Sequence, residues 1–165
     1  MDKKEIAQTL FELEKACFSE GWTLSALEYQ VQNENSVIVV KMLGENPVGY
    51  AFGTVICGEA ELYRIGVHPE FRGRGLGAET LGEFLAECTE KGAEKFFLEV
   101  RSRNAPAVAL YKRAVFARIA VRKGYYGDDD ALIFEKNVRQ NIGSEKADSD
   151  RKANEAQRVP HGNLQ

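Results

Sequence analysis

Three glycines fall within five residues in Arg72-Gly73-Arg74-Gly75-Leu76-Gly77-Ala78, between a strand-like pattern and a helix-like one. Glycine at a helix start weakens the helix unless something needs the space. With side chains cleared away, backbone N–H groups can approach a ligand closely. The start of the following helix adds unsatisfied N–H groups and partial positive charge. The segment therefore predicts a cradle for a pyrophosphate, with Arg72 and Arg74 adding local charge. A P-loop is excluded, because no Lys-Ser or Lys-Thr pair follows Gly77. A dinucleotide fingerprint stays open: Gly73-x-Gly75-x-x-Ala78 fits its permissive form, and Glu99 ends the next strand where a ribose-binding acid would sit. Against it, His68 to Arg72 separate the glycines from the preceding strand, and the rest of the chain is short for a doubly wound parallel sheet.

The remaining pattern reads as one α/β domain. Ile6, Leu10, Leu13 and Cys17 recur at helical spacing behind Asp2, a predicted N-cap, and Thr23 caps a second helix carrying Leu24, Leu27 and Val31. Val37 to Val40 reads as a buried strand, Gly44 to Pro47 as a turn, and Val48 to Cys57 as the hairpin partner. A third strand follows Gly58-Glu59, with Tyr63, Ile65 and Val67 expected on one side. After the glycines comes a helix with Leu81, Phe84, Leu85 and Cys88 on its apolar face, ended by Gly92. Lys95 to Val100 is a short strand, and Asn104 caps a helix carrying Val108, Tyr111 and Val115. Two strands, about Phe116 to Arg122 and Ala131 to Asn137, complete the domain at residue 138. Residues 139–165 hold no aromatic residue and few apolar ones, which predicts a disordered tail.

Composition excludes several classes. Lys+Arg is 22 against Asp+Glu 25, a net charge of -3, so nucleic-acid binding as the main task is not expected. No apolar run approaches the ~20 residues that span a bilayer, and the start lacks a signal-peptide core. Cys17, Cys57 and Cys88 are widely spaced and read as reduced core thiols. With two histidines, His68 and His161, no metal site is expected.

Two further groups could carry chemistry. Glu99 ends the apolar run Phe96-Phe97-Leu98, where burial would raise its pKa and suit it to general-base work, unless it pairs with Arg101 or Arg64. Asn104 and Tyr111 lie seven residues apart, two helical turns, on one side. A tyrosine hydroxyl can protonate a leaving thiolate, its pKa of about 10 lying near that of a thiol. Tyr111 also reads as a plain core aromatic.

The ordered set Ile65-Gly66-Val67, Arg72-x-x-Gly75-x-Gly77, Glu99-Val100-Arg101, Asn104 to Tyr111 and Tyr125-Tyr126 resembles the GNAT acetyltransferases. Within them it is similar to the bacterial ribosomal-protein alanine N-acetyltransferases, the RimI-like branch. The resemblance covers about residues 1–138 and implies a twisted, mostly antiparallel sheet whose central parallel pair splays apart, flanked by helices. It implies acetyl-CoA as cosubstrate. Ile65, Gly66 and Val67 would run along the pantetheine, with the Val67 N–H as oxyanion donor. Gly73 to Ala78 would hold the pyrophosphate, and Asn104 would touch the pantetheine or the adjoining phosphates. Glu99 is then the general base, Tyr111 the general acid, and Tyr125 and Tyr126 the peptide-binding pair. It further implies a protein N-terminus, from a ribosomal protein, as acceptor, a cytoplasmic location, and a monomer or weak dimer. An acceptor amine on a lysine, polyamine or amino-sugar is the alternative. Two departures stand out. Val115 precedes Phe116 where many members have glycine, read as a packing change. The Asp128-Asp129-Asp130 loop is short and acidic, which predicts an acceptor with a basic residue near its N-terminus.

Overall fold

Asp2 opens α1 (Lys3–Cys17) through a capping box with Glu5, and Thr23 accepts from the Ala26 N–H to open α2 (Leu24–Gln32). A six-stranded sheet follows in the order β1-β2-β3-β4-β6-β5: β1 (Ser36–Leu43), β2 (Asn46–Ile56), β3 (Glu59–Val67), β4 (Lys95–Arg101), β5 (Ala117–Arg122) and β6 (Ala131–Asn137). Between β3 and β4 lie a 3-10 turn (Pro69–Phe71) and α3 (Leu76–Glu90); α4 (Ala105–Arg113) joins β4 to β5. The computed structural model describes residues 1–138. The tail expected at 139–165 lies outside the described residues.

The sheet is sandwiched where the sequence is most apolar. Val37, Val39, Ala51 and Leu62 join Leu81 and Phe84 of α3, and Phe96, Leu98, Tyr111 and Phe134, in one core. Tyr50 and Phe52 join Leu10, Leu13, Leu27 and Val31 of α1 and α2 in a second core on the other face. Val37 to Val40 is buried because alternate residues feed the two cores, as the period of two requires.

Among the described residues only β3 and β4 run parallel, and they pair only from Glu59–Lys95 to Leu62–Leu98. A bulge follows at once: Phe52 faces Arg64 and Gly53 faces Leu62, leaving Tyr63 as the extra residue. A Cβ on Gly53 would stand 1.9 Å from the Glu61 carbonyl oxygen, so the bulge needs glycine there. The bulge corrects the expected face of β3. Tyr63 stacks on Trp22 on the α1–α2 side, while Ile65 packs against the other core. One parallel pair in a mostly antiparallel sheet also disposes of the doubly wound dinucleotide fold. Among the described residues no helix is long and apolar enough to cross a membrane.

Val115 corrects a second expectation. It is exposed, so it is no packing element, but its φ is +64°. It follows α4 in a Schellman motif: the Val115 N–H donates to the Lys112 carbonyl at 3.1 Å and the Phe116 N–H to the Tyr111 carbonyl at 3.0 Å. The left-handed conformation costs an L-residue roughly 1–2 kcal/mol, which glycine avoids. Val115→Gly, after the entropy glycine loses on folding, should stabilise the protein by about 1 kcal/mol and raise Tm by about 3 °C. Calorimetry checks this; an unchanged or lower Tm would contradict the strain.

Candidate functional site

The glycine segment lies at the mouth of the splay. Gly73 and Gly75 have φ of +76° and +78°, and a Cβ on either would meet open space, so the glycines serve backbone conformation. Gly75 is the N-cap of α3 and supplies no side-chain hydrogen bond. Asp2, Thr23 and Asn104 each cap their own helix, so α3 is the long helix whose first amides are left for something else. A cleft of about 480 Å³ opens there, lined by Ile65, Gly66, Val67, Gly73, Gly75 and Asn104 among others.

The other lining groups divide by role. Leu76 is buried and also lines the cleft. Arg72 donates from Nε to the Val67 carbonyl at 2.9 Å, fixing the turn that follows β3. Arg74 lies outside the lining, its guanidinium 5.3 Å from the Phe71 ring centroid. His68 donates its N–H to Val48 across the β2 side of the strand. The Val67 N–H therefore points to the opposite, open side.

The cleft continues into a second cavity of about 420 Å³, and Phe18, Ile65, Asn104 and Ala107 line both. The second cavity brings together Glu99, Tyr111 and Tyr126 with Arg64 and Arg101. Asn104 caps α4 through its Oδ1, which receives the Ala107 N–H at 3.3 Å, and this fixes where Tyr111 emerges two turns later. Tyr111 is 5% exposed and packs against Phe116 and Phe134. Burial drives its phenol well above the usual tyrosine value, so it holds its proton throughout the neutral range.

Glu99 departs from the sequence expectation. Its carboxylate is 31% accessible and pairs with Arg122 at 3.1 Å, so it is neither enclosed by apolar neighbours nor tied to Arg101 or Arg64. Its charge is felt nearby: burial first, and then Glu99, raises Tyr126, and the same two causes raise Glu61. Tyr126 stands beneath the Arg101 guanidinium, 4.1 Å from its ring centroid. Tyr125 is more than half exposed and lies outside the cavity, packed edge-on against Tyr126.

The aspartates beside it all have partners within the protein, and Asp128 remains largely exposed. Asp128 faces Arg103 at 3.3 Å and Arg101 at 3.8 Å. Asp129 accepts from the Ser102 hydroxyl and the Arg103 N–H, and Asp130 from Lys123 and the Gly124 N–H. These donors hold both carboxyls below their usual value, the Ser102 hydroxyl first for Asp129 and the Gly124 N–H first for Asp130.

Sequence reasoning missed Phe18, Ser19 and Glu20, which wall the second cavity, and named Arg64 only as a possible partner of Glu99. The available signal was Glu14, an acid four residues after Leu10 on the apolar stripe of α1. Cysteines also divide more finely than expected. Cys88 is core, Cys57 is exposed in the β2–β3 turn, and Cys17 is half-buried and lines the cleft.

Residues 7–116 match the acetyltransferase (GNAT) family. The ribosomal protein bS18-alanine N-acetyltransferase of Salmonella typhimurium is 39% identical over 88 residues, 51% of this chain and 60% of that protein. The crystal structure of the ribosomal-protein-S18-alanine N-acetyltransferase from Escherichia coli superposes with a TM-score of 0.76 at 25% identity, over 84% of this chain and 90% of the other. The paia N-acetyltransferase of Thermoplasma acidophilum, solved in complex with coenzyme A, shares the fold at a TM-score of 0.71 and 19% identity, over 81% of this chain and 94% of the other.

Burial of the site tyrosine has a consequence at alkaline pH. Tyr111 and Tyr50 are both raised by burial, Tyr50 further by its hydrogen bond to Glu14. Above pH ~10 the unfolded chain releases these protons and the folded one keeps them, so stability falls as pH rises. The expected slope is about 1.4 kcal/mol per pH unit for each tyrosine. Urea titrations between about pH 9 and about pH 11 read it. Tyr111→Phe and Tyr50→Phe should each remove one share; a slope unchanged by both would contradict the burial.

Proposed function

The chain belongs to the acetyltransferase (GNAT) family, and from that premise we propose that it transfers the acetyl group of acetyl-CoA to the N-terminal α-amine of a protein. The proposed acceptor is a small-subunit ribosomal protein beginning with alanine, the substrate in the names of its Salmonella and Escherichia relatives. The observation that carries this reading is the continuity of the two cavities. An anion cradle at the start of α3 leads through the open edge of β3 to a chamber containing Glu99, Tyr111 and Tyr126.

Acetyl-CoA supplies an activated thioester carbonyl when bound. The Gly73 to Ala78 backbone would hold the pyrophosphate oxygens, with Arg72 and Arg74 contributing charge from the rim. The edge of Ile65 to Val67 and the Asn104 amide would meet the pantetheine. The Val67 N–H would stabilise negative charge on the carbonyl oxygen. An α-amine has a pKa near 8, so about a tenth or more is already neutral at physiological pH. Glu99, accessible and paired with Arg122, would take the proton from the remainder, directly or through a water. The amine forms a C–N bond as the C–S bond breaks, and Tyr111 would give its proton to the departing sulfur. No covalent intermediate on the protein is needed. Tyr126, steadied by Arg101, would guide the peptide backbone, with Tyr125 supporting it from behind.

Glu99→Gln and Tyr111→Phe should each lower kcat by roughly 10²–10⁴-fold while acetyl-CoA binding persists. Steady-state kinetics with calorimetric binding tests the pair, and near-normal rates in both would refute these roles. A peptide beginning with alanine should gain one acetyl group at its α-nitrogen. The same peptide with a blocked N-terminus and an internal lysine should gain none. Acetylation of the lysine alone would replace the α-amine reading with a side-chain one.

A further inference from the structure

Residues 18–23 join α1 to α2 without regular secondary structure, yet Phe18, Ser19 and Glu20 form one wall of the chamber that contains Tyr111. What fixes this wall is a single carboxylate behind it. Glu14, in the last turn of α1, has no exposed surface. Its Oε1 accepts from the Tyr50 hydroxyl on β2 and from Arg64 Nε on β3 at 3.0 Å. Its Oε2 accepts from the Trp22 N–H at 2.9 Å. Arg64 extends the tie: its Nη2 donates to the Glu20 carbonyl at 3.2 Å, and its guanidinium stands 4.1 Å from the Phe18 ring centroid. Gly21 lies against the same group, since a Cβ there would come within 3.0 Å of Glu14 Oε2. The Trp22 ring closes the segment by packing edge-on against Phe52 and stacking on Tyr63.

Both ends of the segment are thus referred to one buried charge. A buried ion pair adds little stability over a well-packed apolar group, because desolvation offsets the attraction. Its distinctive property is directional. It holds three donors from three separate elements in one geometry, which an apolar group cannot do.

We propose that Glu14 is a positioning residue for the acceptor: through Arg64 and the Trp22 amide it sets the wall formed by Phe18 to Glu20. Acceptor binding then depends on a carboxylate that the acceptor never touches. This rests on reading the Tyr111 chamber as the acceptor site.

Glu14→Gln is the sharpest test. An amide keeps the volume but turns one acceptor oxygen into a donor facing other donors. The expected result is a rise of about tenfold or more in KM for an alanine-starting peptide, with kcat within about threefold of wild type and the acetyl-CoA Kd rising by about threefold at most, since Phe18 alone of the wall also lines the cleft. Tyr50→Phe, which leaves the Arg64 and Trp22 bonds in place, should move KM the same way by less. Arg64→Lys keeps the charge but loses the second nitrogen and the planar stack, and should fall between them. Trp22 is the only tryptophan in the sequence, so its emission reads the segment without any catalysis. It should shift to the red in Glu14→Gln while the far-UV circular dichroism stays that of the folded protein.

An unchanged peptide KM, or a peptide KM and an acetyl-CoA Kd rising by the same factor, would overturn the proposal, as would unshifted Trp22 emission. If Glu14→Gln does not fold, Tyr50→Phe decides by the same criteria, since Tyr50 is buried and outside the chamber. Failure of the wild-type protein to acetylate any peptide α-amine would instead overturn the acceptor reading. It is distinguishable, because the Trp22 emission still reports whether Glu14 holds the segment.

Discussion

The structure depends on β3 and β4 ceasing to pair after Leu62 and Leu98. Parallel strands in a sheet normally continue side by side, since each unpaired backbone group must find another partner. Here the bulge at Tyr63 turns β3 away, and Gly53 makes the bulge possible by letting the Glu61 carbonyl lie over it. Beyond that point β3 keeps β2 on one edge and presents bare backbone on the other. The Val67 carbonyl is met by Arg72, while its N–H faces the opening. Across the gap, Glu99, Val100 and Arg101 end β4, and Asn104 starts α4. The cleft is therefore a consequence of strand geometry, and side chains adjust its chemistry afterwards.

Charge follows the same local logic. A chain with net charge -3 is an unpromising host for a polyanion. The proposed cradle would avoid this by using backbone amides at a helix end without a side-chain cap, which whole-chain charge does not register. The three consecutive aspartates show the converse. They look like an acidic surface in the sequence but act as a clasp, with Asp129 gripping Ser102 and Arg103 and Asp130 gripping Lys123 and Gly124. The clasp joins the end of β4 to the loop that carries Tyr126, so the acids help to order the chamber.

Local features were legible in the sequence where one rule acted alone. Asp2 with Glu5, Thr23, Asn104 and the Gly92 stop each follow from capping chemistry, and the strand periods place both cores. What escaped were features that depend on partners distant in the chain. Glu99 reads as buried from its apolar neighbours, but β4 carries it on the face turned to Arg122 on β5. The expected alternation in β3 fails because a bulge is decided by the register against β2. Val115 looks like a packing change until the Schellman bonds show that the position is defined by its backbone. Glu14 is the most informative miss: its three donors come from residues 22, 50 and 64. No window of sequence contains them all.

Tyr111 shows why the two readings of a single residue need not compete. The sequence offered a core aromatic or a proton donor. In the structure its ring packs against Phe116 and Phe134 within the main core, while its position along α4, set by the Asn104 cap, brings it to the chamber wall. The burial that makes the ring useful to the fold also raises the phenol and keeps the proton in place. A donor of that kind is inert toward water and toward a neutral thioester. In the proposed reaction its proton would go to the departing thiolate, and burial widens the gap between phenol and thiol that the two unperturbed groups nearly close.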